Sequence, residues 1–271
     1  DVFFQAALGF IKQQHQAKTP FFAYISTNAP HGPMIAPASY KKRFADLGWE
    51  EKTQGRYGMI ENIDDNVGLL MKKLDEWKLW ENTLVIFTSD NGGYTRNFNG
   101  HQPNGQILRG GKGDLVEGGH RVPFLARWPG RIKPGTRSKE TISTTDMLAT
   151  FAAIVGEELP EGAGPDSYNV LQALQGEALP DPERPIVFTS GGTGALAIRM
   201  GKWKLIEGQG NRGYGESRAK KPVPAPKPGD PPAQLYNLEE DLGEANNLYN
   251  EHPEIVQRLK KALEDIQSAN L

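Results

Sequence analysis

The sequence predicts an α/β fold, the later part of a mixed, mainly parallel sheet flanked by helices. An apolar, β-branched run at Thr83–Thr88 is typical of a buried strand. The segment before it, Tyr57–Trp77, has apolar residues at spacings of three and four, which indicates an amphipathic helix. Shorter apolar runs predict further strands at Phe21–Ser26 and Val122–Trp128. Strand, helix and strand in this order favour a βαβ unit and therefore a parallel sheet.

The C-terminal part of the chain is predicted to form a small antiparallel sheet. Short apolar runs at Ile186–Ser190, Ala195–Met200 and Lys202–Ile206 predict strands, and Gly201 predicts a hairpin turn. Glu254–Ala269 has apolar residues on one face and predicts a closing helix. Further helices are predicted at residues 2–17 and 146–155. The predicted domains are residues 1–184, the larger α/β part, and residues 185–271, the small subdomain.

Composition excludes several classes of partner. The formal net charge of -2 over 271 residues argues against a nucleic acid or an anionic membrane surface. No apolar run approaches the roughly 18 residues that a membrane-spanning helix needs. The chain contains 0 cysteines, which excludes disulfides and thiolate metal sites.

Two polar groups follow the central predicted strand in positions where a ligand could bind. Asp90 and Asn91 lie directly after it, at the edge where open α/β sheets place their ligands. Their oxygens suit a hard divalent cation, although Asp-Asn-Gly-Gly is equally good turn chemistry. Lys112 follows in Gly-Gly-Lys-Gly, a backbone that can approach a ligand closely. It is not a phosphate-binding Walker loop, because Gly113 stands where Ser or Thr is required.

A histidine loop follows the first predicted strand. His31 lies between Pro30 and Pro33, which cannot continue a helix or a central strand. An imidazole there can exchange a proton near neutral pH, but a lone loop histidine is more often an ordinary surface residue.

At this point the sequence resembles a known family over nearly its whole length. TLVIFTSDNG at Thr83–Gly92, followed by LRGGKG and EGG-x-RVP, resembles the sulfatases of the alkaline-phosphatase-like fold, in particular the arylsulfatases. PFFAYISTNAPHGP at Pro20–Pro33 is similar to the family's strand and histidine loop. Tyr57–Trp77 is similar to the helix before its metal strand. The resemblance implies the alkaline-phosphatase-like fold and hydrolysis of a sulfate monoester, either a small-molecule sulfate ester or a sulfated carbohydrate.

The resemblance also implies roles for the residues. Asp90 and Asn91 match two calcium ligands. Lys112 matches the ammonium that holds a sulfate oxygen, and His31 matches a residue that contacts the substrate or protonates the leaving group. Asn104 is a lesser substrate-binding candidate. His120 is interpreted as structural, because it occupies a position that is usually apolar.

One part of the family pattern is missing from the chain. Sulfatases use a formylglycine made from Cys or Ser in a C/S-x-P-S-R motif, and this sequence has no cysteine and no S-x-P-x-R. We therefore expect the formylglycine and the other metal carboxylates in an N-terminal segment absent from this chain, and the chain alone to be inactive. The expected partner is that segment or a second copy. The family resemblance implies a periplasmic or secreted location.

Two alternatives stay open beside the sulfatase interpretation. The chain could be non-catalytic, either a fragment or a degenerate homologue. It could also be a related phosphodiesterase of the same superfamily, but those enzymes use two metals with more His and Asp ligands, and Lys112 in its Glu-Gly-Gly context argues against this.

Overall fold

The computed structural model describes residues 1–93, 100–101, 107–190, 194–210 and 228–269. The chain forms two compact units, residues 1–84 and residues 85–271. The division predicted at residue 184 stays a prediction. In the described part of the chain, no helix is both long enough and apolar enough to cross a membrane.

The first unit is mainly helical. Its helices are α1 (Val2–Ala17), α2 (Ala38–Ala45) and α3 (Glu51–Glu76), followed by a 3₁₀ turn at Trp80–Asn82. Helices α1 and α3 confirm the predicted helices, although α3 begins six residues before the predicted start. Helix α2 packs closely on α3, because a Cβ at Gly58 would lie 3.3 Å from the Cβ of Tyr40.

The predicted strand at Phe21–Ser26 is not formed as a strand. Side chains from Phe21 to Asn28 alternate between half-buried and exposed, which is the period of a strand. Tyr24 is 83% exposed. All pairs among the described strands are antiparallel, and the parallel pairing of a βαβ unit is not formed among them. A strand needs a hydrogen-bonded neighbour, and none of the described strands supplies one for this segment.

The second unit begins with two small sheets. Strand β1 (Val85–Thr88) pairs with β4 (Phe124–Arg127) in antiparallel register, so both strands predicted around the polar loops are confirmed as strands. Strand β2 (Gly100–His101) pairs with β3 (Ile107–Leu108). The short helix α4 (Glu117–His120) lies between β3 and β4 along the chain.

The predicted antiparallel C-terminal sheet and terminal helix are confirmed. The four-stranded sheet has the order β5-β6-β7-β8, and Gly201, with φ of 56°, forms the tight turn between β6 and β7. Its strands are β5 (Ile186–Thr189), β6 (Leu196–Met200), β7 (Trp203–Ile206) and β8 (Gln234–Asn237). The remaining helices are α5 (Met147–Val155), α6 (Leu171–Gln175) and the terminal α7 (Pro253–Ala269).

The terminal helix covers one face of this sheet. Val256, Leu259 and Leu263 of α7 pack on Ile198 and Leu205 of the sheet, and all five side chains are buried. The other face packs on the segment before α4. Leu115, Val116, Ala197, Ile206 and Tyr236 form that second apolar cluster. The loop system before α4 is therefore supported directly by the C-terminal sheet.

Candidate functional site

The loop after β1 carries the first two predicted site residues. Asp90 is exposed and Asn91 is half-buried. The hydroxyl of Ser89 donates to the carbonyl of Asn91 at 3.1 Å, which closes the turn. The side-chain nitrogen of Asn91 donates to the carbonyl of Gly92 at 3.2 Å. This bond orients the carboxamide and leaves its oxygen as the atom available to a ligand.

The glycines of this loop allow it to pack on the backbone of α4. The N–H of Gly92 donates to the carbonyl of Gly119 at 2.8 Å. A Cβ at Gly92 would overlap the carbonyl oxygen of Gly118. Gly93 accepts a bond from the N–H of Lys112 at 3.0 Å. Contact between bare backbones therefore fixes the distance between the Asn91 loop and the Lys112 loop.

Close contact between backbones also holds the Lys112 loop against α4. The N–H of Gly118 donates to the carbonyl of Arg109 at 2.8 Å, and a Cβ at Gly118 would overlap that oxygen. A Cβ at Gly119 would overlap the carbonyl oxygen of Asp114. The Asp114 carboxylate accepts from the N–H of Gly111 at 2.9 Å. Lys112 is thus presented on a short loop whose two ends are both tied to α4.

Arg109 anchors this loop to the C-terminal sheet. Its guanidinium donates to the Tyr236 hydroxyl at 3.3 Å, the Gln234 side-chain oxygen at 3.1 Å and the Glu244 carbonyl at 2.6 Å. It also lies over the Tyr236 ring, 5.3 Å from the centroid. A rigid fork of donors suits this role, because each bond restricts the same planar group.

A cavity of about 220 Å³ opens between these loops. Two of the predicted residues, Asn91 and Lys112, lie on its wall, together with His120. Asp90 is next to Asn91 in the chain but is not among the lining residues. The other lining residues are Gly113, Asp114, Leu115, Gly119, Phe188 and Thr189. The cavity therefore combines one exposed ammonium, one carboxamide, one imidazole, the Asp114 carboxylate and the Thr189 hydroxyl on a partly apolar wall.

His120 has a defined environment that the sequence did not predict. Its ring stacks on Phe188 with centroids 4.1 Å apart and planes 26° apart. Its Nε2 lies 2.9 Å from the Nζ of Lys204 and 3.2 Å from the carbonyl of Leu115. Burial lowers the pKa of His120 to about 3, and the positive charge of Lys204 acts in the same direction. The imidazole is therefore neutral at pH 7.

Below His120 lies a buried cluster of charges, Glu117, Lys204 and Glu244. The Nζ of Lys204 is 2.9 Å from a carboxylate oxygen of each glutamate, and all three side chains are at most 2% exposed. The backbone N–H of Glu117 donates to the Glu244 carboxylate at 2.6 Å. Arg121 donates to the other Glu117 oxygen at 2.6 Å. Two carboxylates thus face two cations.

Burial and charge act in opposite directions on the two glutamates. Burial tends to raise the pKa of Glu117, but the charges of Lys204 and Arg121 outweigh it and hold that pKa well below its usual range. For Glu244 burial is the stronger effect and raises the pKa, although Lys204 opposes it. Isolated buried charges are costly, so this cluster depends on Lys204 serving both carboxylates.

Two further predicted site residues are His31 and Asn104. His31 belongs to the first unit, where its exposed ring donates from Nδ1 to the carbonyl of Gly32 at 3.0 Å. It lines a cavity of about 320 Å³ together with Phe4, Thr27 and Ile63. Asn104 lies outside the described residues. The structure therefore brings Asn91 and Lys112 into one cavity, with Asp90 beside them.

The predicted calcium site is at most partial in the described residues. Calcium takes 6–8 oxygen ligands, and Asp90 and Asn91 offer one carboxylate and one carboxamide oxygen. Among the described residues, no group of three or more His, Cys, Asp or Glu side chains could hold a metal ion. Their chemistry fits a hard cation, but they cannot complete its coordination.

Comparison with known proteins identifies the class of this fold. The crystal structure of Ps i-CgsB superposes with a TM-score of 0.81 and is 28% identical, covering 98% of this chain and 54% of that one. A second structure of the same protein, in complex with k-i-k-neocarrahexaose, gives the same values. The predicted α/β class, of the alkaline-phosphatase-like kind, is confirmed.

Sequence comparison gives the family. The Sulfatase profile matches residues 1–157. N-acetylgalactosamine-6-O-sulfatase of Bacteroides thetaiotaomicron is 34% identical over 99% of this chain and 51% of its own length. Human arylsulfatase A is 33% identical over 89% of this chain and 48% of its own length. The chain belongs to the sulfatase family, and it spans about half the length of these two relatives.

Proposed function

We propose that this chain carries the sulfate-binding side of a sulfuric ester hydrolase that acts on a sulfated carbohydrate. The observation that supports this most is the cavity that holds Lys112 and Asn91, built in a member of the sulfatase family. The Bacteroides relative is a sulfatase of N-acetylgalactosamine 6-O-sulfate. Sulfated amino sugars are therefore the first substrate class to test.

Lys112 is proposed to bind the sulfate group of the ester. A flexible ammonium on a fixed backbone can pair with a sulfate oxygen in the ground state and with the charge that develops during S–O cleavage. The ties of Lys112 to Gly93 and of its loop to α4 mean that little rearrangement is needed on binding. Asn91 supplies a neutral polar group at the same wall.

Asp90 and Asn91 are proposed to be two of the calcium ligands. Calcium would add positive charge beside the sulfate. The formylglycine of the family would supply the nucleophile, and we propose that both it and the other carboxylates come from a segment outside this sequence. His31 is proposed to give a proton to the leaving oxygen, a role that imidazole can fill.

Exposed apolar side chains support the proposal of a further segment or a second copy. Tyr24 in the first unit is 83% exposed and Leu125 on β4 in the second unit is 60% exposed. Each belongs to a stretch whose side chains alternate as in a strand. Exposed apolar faces of such stretches are normally covered by another part of a protein. The alternation therefore favours packing of these stretches against a further segment or a second copy over exposure to solvent. The periplasmic or secreted location stays a prediction.

The proposal is tested by ligand binding to the 271-residue chain. Isothermal calorimetry would compare N-acetylgalactosamine 6-sulfate with the unsulfated sugar. We expect only the sulfated sugar to bind, and we expect Lys112→Ala to weaken binding about tenfold or more, because a hydrogen bond to a charged group is lost. Lys139 is an exposed lysine of the same unit, and Lys139→Ala is the matched control.

Two results would contradict the proposed function. One is equal affinity for the sulfated and unsulfated sugars. The other is an equal loss of affinity in Lys112→Ala and Lys139→Ala. That result would mean that the net charge of the chain, and not the position of Lys112, determines binding. Turnover of p-nitrophenyl sulfate by the natural polypeptide, lost in Lys112→Ala, would extend the result from binding to catalysis. Sulfate binding without turnover in that polypeptide would favour the non-catalytic alternative.

A further inference from the structure

His120 is a further polar side chain on the cavity wall, and the roles proposed above do not use it. Its side chain is 21% exposed, so it is neither an ordinary surface histidine nor fully enclosed. Phe188 on one side and Lys204 at Nε2 restrict the ring to one orientation. A ring held in this way presents one edge to the cavity that Lys112 also lines.

The contact with Lys204 determines which ring nitrogen carries the proton. An ammonium has donors and no acceptor, and the Nζ of Lys204 lies 2.9 Å from a carboxylate oxygen of both Glu117 and Glu244. At 2.9 Å, Nε2 of His120 must therefore accept. The Leu115 carbonyl, 3.2 Å from the same nitrogen, favours the opposite tautomer, but its neutral bond is weaker than the charge-assisted one.

Nδ1 is the nitrogen left for a ligand. In the Nδ1–H tautomer it is a neutral donor, and none of the described residues bonds to it. Because the side chain is 21% exposed and lines the cavity, this nitrogen belongs to a ring that a bound ligand can reach.

We propose that His120 donates a hydrogen bond from Nδ1 to an oxygen of the sulfated ligand held by Lys112, and that Lys204 is the positioning residue that fixes this tautomer. This inference rests on the proposed function, because it takes its ligand from Lys112. The acceptor is either a sulfate oxygen or a neighbouring oxygen of the sugar. His120 is then a residue that determines specificity in the cavity, and the buried charge cluster is its support.

The tautomer is tested first, and without any ligand. Two-dimensional ¹⁵N–¹H spectra of the histidine rings distinguish a protonated Nδ1 from a protonated Nε2. We expect His120, assigned by comparison with His120→Phe, to carry its proton on Nδ1 in the free chain. A proton on Nε2 would overturn the inference whatever the binding results, and it would leave the proposed role of Lys112 untouched.

Binding is tested with two substitutions at the same position. His120→Phe keeps an aromatic ring against Phe188 but removes the donor, and we expect it to weaken binding of N-acetylgalactosamine 6-sulfate about tenfold. His120→Asn places an amide N–H near the position of Nδ1, and we expect it to restore most of the affinity. Unchanged affinity in His120→Phe, with affinity lost in Lys112→Ala, would contradict this inference while the proposed function stands.

Inorganic sulfate separates the two possible acceptors. If His120→Phe weakens both inorganic sulfate and the sulfated sugar, the acceptor is a sulfate oxygen. If it weakens only the sugar, the acceptor belongs to the sugar. Failure of the wild-type chain to bind either ligand would overturn the proposed function and this inference together.

The positioning role of Lys204 has its own readout. Lys204→Arg keeps a buried cation for the two glutamates but cannot keep the same point contact with Nε2. We expect a folded protein in which the His120 proton redistributes towards Nε2 and the affinity for the sulfated sugar falls. In the His120→Phe background, adding Lys204→Arg should cause no further loss of affinity. A folded Lys204→Arg variant with the wild-type tautomer and affinity would show that Lys204 is only structural.

Discussion

Two loops carry the residues proposed for chemistry, and they are built in different ways. The loop of His31 is exposed, and the bonds recorded for His31 go to its near neighbours Asn28 and Gly32. The loop of Lys112 is tied to Gly93 and packed on α4, and Arg109 anchors it to the C-terminal sheet. The contrast indicates that the Lys112 loop is fixed by the core of its own unit, while the His31 loop is held mainly by its local turn.

The largest effect is expected where the support of the Lys112 side is buried. Lys204→Met would leave Glu117 and Glu244 without their shared cation, and breaking a buried pair of this kind costs about 3–5 kcal/mol. The free energy of unfolding from urea titration measures it. We expect part of the loss to be recovered when Glu244→Gln is added, because one uncompensated charge is then removed. A loss below about 1 kcal/mol would mean that water reaches the cluster.

Next is the glycine contact between the two loops of the cavity. Gly92→Ala places a methyl group against the Gly118 carbonyl and should destabilise the chain by about 1–3 kcal/mol. Gly93→Ala is the matched control, because none of the described residues has an atom within 4 Å of a Cβ there. The difference in urea midpoint between the two variants is the measurement. Equal midpoints would show that the loop after β1 can move away from α4 freely.

The pH dependence of stability tests His120. Its pKa is lowered to about 3 in the folded chain, so between pH 6.5 and pH 3 the unfolded chain binds more protons. Stability should therefore fall as the pH is lowered through this window, by up to about 2 kcal/mol between pH 7 and pH 5. Below pH 4.5 the depressed pKa of Glu117 adds to the loss, whereas the raised pKa of Glu244 opposes the loss above pH 4.5, where the folded chain binds the extra proton. His120→Phe should flatten the curve above pH 5, and an unchanged slope would contradict a buried neutral imidazole.

The smallest effect is expected at His31. Because the ring is exposed and bonds only to the adjacent Gly32 carbonyl, His31→Ala should change the free energy of unfolding by less than about 0.5 kcal/mol. The proposed proton transfer predicts that the same substitution lowers turnover of a sulfate ester by the natural polypeptide about a hundredfold. A destabilised variant would mean that His31 supports the first unit rather than the chemistry.

The sequence predicted the elements whose pattern is local. The periodicity of Tyr57–Trp77 located α3, and Gly201 between two apolar runs located the hairpin of β6 and β7. It missed α2, where Lys41, Lys42 and Arg43 conceal the single buried residue, Phe44. It predicted a strand at Phe21–Ser26 because the alternation and composition of the side chains are those of a strand. Neither property shows whether a neighbouring strand is present to form hydrogen bonds.

The candidate site was predictable only in part for a similar reason. Asp90, Asn91 and Lys112 lie in loops with recognisable sequence motifs. The structure brings Asn91 and Lys112 to one cavity. Lys204 and Glu117 are 87 positions apart, and no local sequence pattern around either residue predicts their contact. The one available signal was a lysine in the middle of an apolar strand, Trp203–Ile206, a position that requires a buried partner. The role of His120 follows from that partner and could not be predicted without it.

Arg109 and Glu117 also bear on where this polypeptide could be divided. Their partners Tyr236, Lys204 and Glu244 all lie beyond residue 184. A protein engineer who excised residues 1–184 as a minimal catalytic module would remove Lys204 and Glu244 from Glu117, keep only its bond from Arg121 among these contacts, and leave the Lys112 loop without its anchor. Transplanting the cavity into another scaffold, or exchanging it between relatives, therefore requires the C-terminal sheet to travel with it.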